Sequence, residues 1–253
     1  MSLVRASILL LSFHVVSLLP IAVKAQSAVY TFTTTFQGAQ IYHGNIFDAN
    51  ANVKLSDTVH LIPGVRRLER NYSVVNFGET TGYIGLTHTF GTGFMGGGFY
   101  AVHEANVTPS AVINPEWQEL SQFHYAHGRE DFGINVGYSK YYNLRSGSIG
   151  PNYYHAFNDL FALSTGMNFV KADRWLSAGQ VQAIFTATTR GEARLVYASG
   201  ETLEAAGLQA RFSAVTLETM FSVMKRVRVG LGLTNYKSNL RAEESALLRL
   251  EVR

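Results

Sequence analysis

The stretch that decides the fold is residues 213–236, SAVTLETMFSVMKRVRVGLGLTNY. Apolar and polar residues alternate in its first half, and the alternation starts again after Met224-Lys225-Arg226. The residues on the apolar face are Val215, Leu217, Phe221, Val223, Val227, Val229, Leu231 and Leu233. Because successive side chains of a β-strand point to opposite faces, this pattern predicts a hairpin with one apolar and one polar face.

Similar two-faced segments recur from residue 29 to residue 252 and give about fourteen candidate strands. The number falls to twelve if the segment interrupted by Pro63 does not span, since proline cannot donate to a strand ladder. From about Thr81 onward, short connections alternate with longer ones, as in barrels with brief periplasmic turns and longer external loops. The predicted fold class is therefore all-β, an antiparallel up-and-down transmembrane β-barrel of 12–14 strands.

The first 25 residues have the features of a secretory signal peptide. Arg5 supplies the positive start, residues 8–19 form an apolar run, Pro20 ends it, and Ala25 provides a small residue for cleavage before Gln26. The apolar run is short for an uncleaved anchor helix, and no later window approaches 18 consecutive apolar residues. We therefore expect residues 1–25 to be removed and residues 26–253 to form the barrel domain.

Composition excludes several kinds of site. The 253 residues include no cysteine, so a disulfide scaffold, a thiolate metal site and a cysteine nucleophile are all excluded. The formal net charge is +3, and Arg5 and Lys24 of the predicted signal supply two of these charges, which leaves about +1 for the remainder. A charge this small gives no reason to predict a nucleic-acid partner.

The composition of the polar face separates a membrane barrel from a soluble one. A soluble barrel would present a face rich in Lys and Glu to water, whereas this face is mainly Gly, Ser, Thr, Asn, Gln and Tyr. It therefore suits a confined lumen, in which scattered charges either tune the passage of a small solute or pair to fill a closed barrel. The charges predicted to face the lumen are Asp48, Lys54, Arg194, Glu218, Arg228, Arg249 and Glu251. The aromatic residues predicted to form interfacial girdles are Phe36, Phe90, Trp117, Tyr138, Phe169, Trp175 and Tyr236.

Residues 193–207, ARLVYASGETLEAAG, carry an Arg-Leu strand followed by a Ser-Gly-Glu loop and a second acid. The residues that match this pattern are Arg194, Leu195, Ser199, Gly200, Glu201 and Glu204. In this respect the sequence resembles the YaiO-type outer-membrane β-barrel family. The resemblance implies the outer membrane of a Gram-negative cell and no established reaction, so no catalytic residue is carried over. The sequence departs from outer-membrane barrels in ending with Val252-Arg253 rather than an aromatic residue, which predicts less efficient recognition by the assembly machinery.

Few residues point to chemistry, and no catalytic residue, metal site or cofactor is predicted. His124 and His127 should lie on opposite faces of a strand and form a poor metal pair. The charges at 129–131 are expected to be a solvated cluster on a turn. Glu201 and Glu204 have two interpretations: an external carboxylate pair for a cation or a cationic sugar, or ion pairs with Arg194 or Arg211 that pin a loop over the barrel mouth.

The function predicted from the sequence is a non-enzymatic outer-membrane barrel, acting as a narrow pore or as a structural or surface protein. One alternative is a lipid- or polysaccharide-modifying enzyme with its site at the external rim. A further alternative is a soluble periplasmic β-barrel binding protein. The expected partners are membrane lipid and lipopolysaccharide, with the barrel-assembly machinery during insertion, and the sequence leaves the oligomeric state open.

Overall fold

A computed structural model describes residues 27–39, 42–72, 75–92, 97–188, 191–204 and 207–253. These residues form a closed barrel of fourteen strands, which confirms the predicted fold class at the upper number of strands. The predicted signal peptide lies outside the described residues. The strands are β1 Ser27–Ala39, β2 Tyr42–Lys54, β3 Val59–Tyr72, β4 Asn76–Thr92, β5 Gly98–Val107, β6 Trp117–His127, β7 Glu130–Lys140, β8 Arg145–Ala156, β9 Phe161–Lys171, β10 Trp175–Thr188, β11 Gly191–Leu203, β12 Gln209–Met224, β13 Val227–Ser238 and β14 Ala242–Val252.

Every strand pairs antiparallel with its neighbours in sequence, and β1 pairs with β14 to close the barrel. In this closing pair Thr31 lies opposite Glu251 and Phe36 lies opposite Ala246. The shortest strand, β5, has 10 residues and the longest, β4, has 17. All are long enough to cross a bilayer as tilted strands, which takes roughly 9–11 residues. Within the described residues, no helix is long and apolar enough to cross a membrane.

Pro63 interrupts strand pairing without removing a strand from the barrel. Between β2 and β3 the pairing breaks off between Asn50↔Gly64 and Val53↔Leu61. On the other side of β3 the register continues through Pro63, which lies opposite Ile84. The missing N–H of proline therefore weakens only the contact with β2. For this reason the barrel has fourteen strands and not twelve.

The two ends of the barrel are named here by their chain segments. The termini end holds the start of β1, the end of β14 and turns such as 128–129 and 225–226, and the loop end holds connections such as 108–116 and 239–241. The connection 108–116 is the longest, and from β4 onward the loop-end connections are on average longer than those at the termini end. The predicted alternation of short and longer connections therefore holds in most of this part of the chain, and 157–160 is the exception because it is longer than 172–174. Main-chain pairing continues beyond the predicted strand ends, for example to Leu203↔Gln209 between β11 and β12.

The apolar face of each strand points outward. Leu217 and Leu231 keep 47% and 56% of their surface exposed, whereas Gly230 and Gly232, on the opposite face of the hairpin, are buried. A soluble protein rarely exposes a contiguous apolar surface of this extent, and a lipid-facing barrel wall is its ordinary setting.

Aromatic rings form a band on the outer surface near the termini end. Phe161 lies between Phe157 and Phe185, with ring centroids 5.3 and 5.0 Å away, and Phe132 contacts Tyr153 at 4.8 Å. Such a band resembles the aromatic girdle of membrane barrels. The girdle prediction was wrong for Tyr236, because its hydroxyl donates to the Glu204 carboxylate at 2.5 Å. Its position in β13 shares the inward face with Arg228, so it lies inside the barrel.

Candidate functional site in the barrel lumen

The middle of the lumen is lined by polar side chains that bond to one another across strands. The Asp48 carboxylate accepts from Tyr83 at 2.7 Å and from Arg66 at 2.9 Å. Farther around the wall, Asn152 donates to Asn135 at 3.1 Å. An eight-stranded barrel is filled by its side chains and barrels of 16–18 strands hold an aqueous channel. At fourteen strands, a lumen with this lining has room for water.

Charged side chains gather in the lumen near the termini end around a recess of about 110 Å³. Three acids and three bases contribute: Glu192, Arg194, Glu218, Arg228, Arg249 and Glu251. Arg194 pairs with Glu192, and Arg228 lies 3.7 Å from Glu251. Arg249 and Glu218 have no ion pair among the described residues, and the Arg249 Nε atom has no hydrogen-bond partner there. The recess is therefore electrically balanced overall, and the charges of Glu218 and Arg249 are not neutralised by a direct ion pair among the described residues.

The other residues predicted to face the lumen lie elsewhere in the barrel. Asp48 is in the middle of the lumen, as described above, and Lys54 lies at the termini end. The Lys54 ammonium is 2.7 Å from the Asp57 carboxylate, which is in the turn 55–58. Lys54 therefore belongs to the rim and does not reach the recess.

Buried residues concentrate at the opposite end. Of the thirteen described non-glycine residues that are buried, eleven lie near the loop end. We call these residues the loop-end layer: Tyr42, Leu68, Arg70, Glu79, Thr81, Thr108, Ser146, Val170, Leu176, Ala210 and Glu243. Side chains that face a water-filled lumen stay partly exposed, as Arg66 does. Burial on this scale therefore indicates that the barrel is packed shut near the loop end.

One arginine connects the charges under this layer. The Arg241 guanidinium lies 3.2 Å from the Glu204 carboxylate and 3.6 Å from that of Glu243, and it donates to the Tyr42 hydroxyl at 3.2 Å. The Tyr42 hydroxyl donates in turn to Glu243. We call these residues, with Tyr236 on Glu204, the Arg241 network. A charged group can be buried at tolerable cost only when paired and hydrogen-bonded, and this network satisfies that requirement for both carboxylates.

A second carboxylate holds the longest connection in place. Glu79 is only 1% exposed, and it accepts the backbone N–H groups of Val112, Ile113 and Asn114, the last two at 2.6 and 3.2 Å. The Asn114 side-chain amide also donates to it at 2.7 Å. Because Glu79 faces the lumen from β4, these bonds draw 108–116 inward. The connection therefore contributes to the closure at the loop end.

The residues of the family-like segment do not form a single site. Arg194 faces the recess, and Glu201 faces outward at the loop end, where Arg174 at 2.8 Å and Arg211 at 3.2 Å contact its carboxylate. The hydrogen bond that Arg174 donates to Glu201, together with the negative charge of Glu201, raises the pKa of the Arg174 guanidinium. Glu204 faces inward to Arg241. The two acids therefore do not make a carboxylate pair: Glu201 points outward from β11, whereas Glu204 follows the end of that strand and points inward.

Gly200 and Ser199 occupy the end of β11 beside Glu201. Gly200 has a φ of 139°, and an added Cβ would lie 2.4 Å from the Ser177 carbonyl oxygen. Only glycine fits both the backbone angle and this close approach. Ser199 lies opposite Gly179 on the outward face. The Ser-Gly-Glu portion of the segment therefore shapes the outer wall and not the lumen.

A tyrosine, an aspartate and a histidine form a cluster that the sequence did not predict. The Asp131 carboxylate accepts from Tyr100 at 2.6 Å and contacts the His124 Nδ1 atom at 2.8 Å, and the two rings stack 4.5 Å apart. The prediction of a solvated cluster at 129–131 was wrong for Asp131, because that residue faces the lumen from β7. The described residues contain no group of three acidic or histidine side chains that could hold a metal ion.

Comparisons with known proteins show similarity of fold without similarity of sequence. No protein-family model matches the chain, and no curated protein matches it. A solved structure described as a bacterial polysaccharide outer membrane secretin aligns with a TM-score of 0.59 at 8% identity, over 89% of this chain and 98% of the other. An outer membrane channel from Pseudomonas putida F1 aligns with a TM-score of 0.52 at 9% identity, over 89% and 93%. The Acinetobacter baumannii outer membrane protein Omp33 aligns with a TM-score of 0.51 at 9% identity, over 88% and 97%. The chain therefore has the fold of outer-membrane β-barrels.

Proposed function

We propose that this protein is a non-enzymatic outer-membrane β-barrel that forms a narrow pore for small hydrophilic solutes, with its external end closed by the Arg241 network and the loop-end layer. The observation that carries this proposal is the contrast along one lumen. Polar side chains stay accessible to water toward the termini end, whereas eleven of the described non-glycine residues are buried near the loop end.

We place the loop end outside the cell and the termini end in the periplasm. The support for this orientation is the position of 108–116, the longest connection, because outer-membrane barrels carry short turns on the periplasmic side. The turn 225–226 then lies in the periplasm. A solute entering from that side meets the balanced recess before it reaches the closed layer, so weak charge selectivity is expected.

The two alternatives have less support. Glu201 and Glu204 bind different arginines on different faces of the wall, which argues against a catalytic carboxylate pair at the external rim. The apolar outward face, with Leu217 and Leu231 about half exposed, argues against a soluble periplasmic protein. Kinship with the YaiO-type family is part of the proposal, and its support remains the pattern of residues 193–207.

Single-channel recording in planar bilayers tests the pore. We expect the full-length mature protein to give rare, small current steps, because the closed layer must open before ions pass. Steady large steps would contradict the closed layer. If neither the native protein nor a variant without Arg241 gives any current, the pore is contradicted and a structural role for the barrel is favoured instead.

A further inference from the structure

A group of cations faces outward at the loop end, away from the lumen. Its members are Arg145, Lys171, Arg174 and Arg211, on or next to β8, β9, β10 and β12. We call this group the cationic rim. The Arg211 side chain is 80% exposed, and the Lys171 ammonium lies 5.8 Å from the ring of the exposed Trp175. An outward Trp next to Lys or Arg is typical of the level at which lipid headgroups meet the acyl chains.

The charges of the cationic rim are incompletely neutralised. Glu201 is shared by Arg174 and Arg211, so one carboxylate serves two guanidinium groups. Lys171 and Arg145 have no ion pair among the described residues. Asp173 is an acid in the connection between β9 and β10, and next to Arg145 the Lys140 ammonium and the Glu116 carboxylate pair with each other at 2.8 Å. Apart from that neutral pair, the four cations of the rim face two acids, Glu201 and Asp173, among the described residues, and the excess positive charge favours an anion at this level.

An apolar groove of about 720 Å³ lies on the outer wall below the cationic rim. Its side chains are mainly apolar or aromatic and include Phe132, Tyr153, Met167, Val181 and Tyr197. The strands connect the two features directly: Met167 lies four residues before Lys171 on β9, and Tyr197 lies four residues before Glu201 on β11. The groove and the cationic rim therefore form one surface, apolar toward the membrane centre and cationic at its edge.

A second groove lies beside the first on the outer wall, since Val215 in its lining is paired with Tyr197 of the first groove. It measures about 630 Å³, and its lining includes Phe36, Val215, Leu233 and Ala246. The charged residue in its lining is Glu244, an acid. The two grooves are similar in size and apolar character. The second groove also has cations at the loop end of its strands, since Arg211 lies four residues before Val215 on β12 and Lys237 lies four residues after Leu233 on β13. It differs in having the acid Glu244 in its lining and in lying farther from Arg174.

We propose that the groove under the cationic rim binds a phosphate-bearing lipid of the outer leaflet, with an acyl chain in the groove and a phosphate on Arg174 and Arg211. This inference rests on the proposed outer-membrane location. Guanidinium groups bind phosphate through paired, charge-assisted hydrogen bonds. The apolar side chains of the groove contact the carbons of the acyl chain. In this account Glu201 holds the two arginines in position and competes with the phosphate for them.

Native mass spectrometry of the full mature chain in detergent tests this proposal. The probe is diphosphoryl lipid A, with phosphatidylcholine, which has no net charge, as the reference lipid. We expect the double variant Arg174→Gln/Arg211→Gln to bind the probe about tenfold more weakly or worse, the typical effect of losing hydrogen bonds to a charged group. Glu201→Gln should bind the probe more tightly than the native protein, because it removes the competing carboxylate.

A pair of groove-filling variants supplies the structural control. A Cβ added at Gly179 would meet its nearest atom at 3.8 Å, so Gly179→Leu fills the groove without a backbone clash. We expect it to weaken binding of the probe, while Ala246→Leu in the second groove should leave binding unchanged. The proposal is overturned if Glu201→Gln weakens binding, if Gly179→Leu has no effect, or if Ala246→Leu has an equal one. All these side chains face outward, so the channel currents of the variants should match those of the native protein. Failure of the proposed pore would therefore appear in the current recordings and not in the lipid-binding measurements.

Discussion

Replacing Arg241 with methionine should open the loop end of the barrel. The variant removes the only cation that contacts both Glu204 and Glu243 among the described residues, and these side chains are only 6% and 9% exposed. Breaking a buried ion pair by removing one partner costs about 3–5 kcal/mol, because the remaining charge has no compensation. At about 1.4 kcal/mol for each factor of ten, the ratio of open to closed loop end should rise by about 10²- to 10⁴-fold.

The assay is single-channel recording together with hydrogen exchange of the purified barrel. We expect Arg241→Met to show frequent current steps, and faster exchange of backbone amides in 207–208 and 239–241 than in the middle of the strands. Arg211→Met is the matched control, because Arg211 is also paired with a glutamate but is 80% exposed, and exposed ion pairs contribute only about 0–1 kcal/mol. Faster exchange at the loop end without added current would refute the reasoning, as would equal currents from the two variants.

Three further variants test the lumen, the inward connection and the lipid face. Arg249→Gln should raise the ratio of cation to anion permeability by up to about fivefold, because a unit charge some 4 Å from an ion in water contributes about 1 kcal/mol. Reversal potentials measure this ratio, and the control Arg226→Gln in the turn should leave them unchanged. Glu79→Gln should release 108–116, since it exchanges a charged acceptor of several N–H groups for a neutral amide, and it should make this connection a site of limited proteolysis that the native barrel lacks. Leu217→Arg should destabilise the barrel in vesicles by about 2–4 kcal/mol, the cost of Arg near the bilayer midplane, whereas Thr216→Arg, which faces the lumen, should cost less in the same urea titration; equal costs would contradict the assignment of the faces.

The fold was predictable because it depends on a local periodic signal. A period of two persists along each strand, and the structure places Leu217 and Leu231 on the outside as that period requires. The predicted lumen charges on β11–β14 also follow from parity, which is why Arg194, Glu218 and Arg228 line one recess. The lengths of the connections were less predictable, since main-chain pairing can continue through polar residues.

The closed loop end could not be predicted from the sequence. It depends on contacts between residues far apart in the chain, such as that of Tyr42 with Glu243 across the β1–β14 closure. One signal was available: Glu243 has the same parity as Arg249 and Glu251, which were predicted to face inward. Asp131 was missed for a related reason, because its partner His124 lies diagonally across a hairpin whose register was not known.

The most direct test of the central claim, a lumen open toward the termini end and closed at the loop end, uses the absence of native cysteine. Single-cysteine variants are reconstituted in liposomes and treated outside with a membrane-impermeant thiol reagent. Asp57→Cys marks the termini end, Asp173→Cys marks the loop end, and Thr33→Cys reports from the inward face of β1. We predict that Thr33→Cys is labelled in the same fraction of molecules as Asp57→Cys. The account would be contradicted if the labelled fraction of Thr33→Cys equalled the sum of the fractions of Asp57→Cys and Asp173→Cys, which would mean access from both ends. It would also be contradicted if that fraction matched Asp173→Cys alone, which would mean access from the loop end.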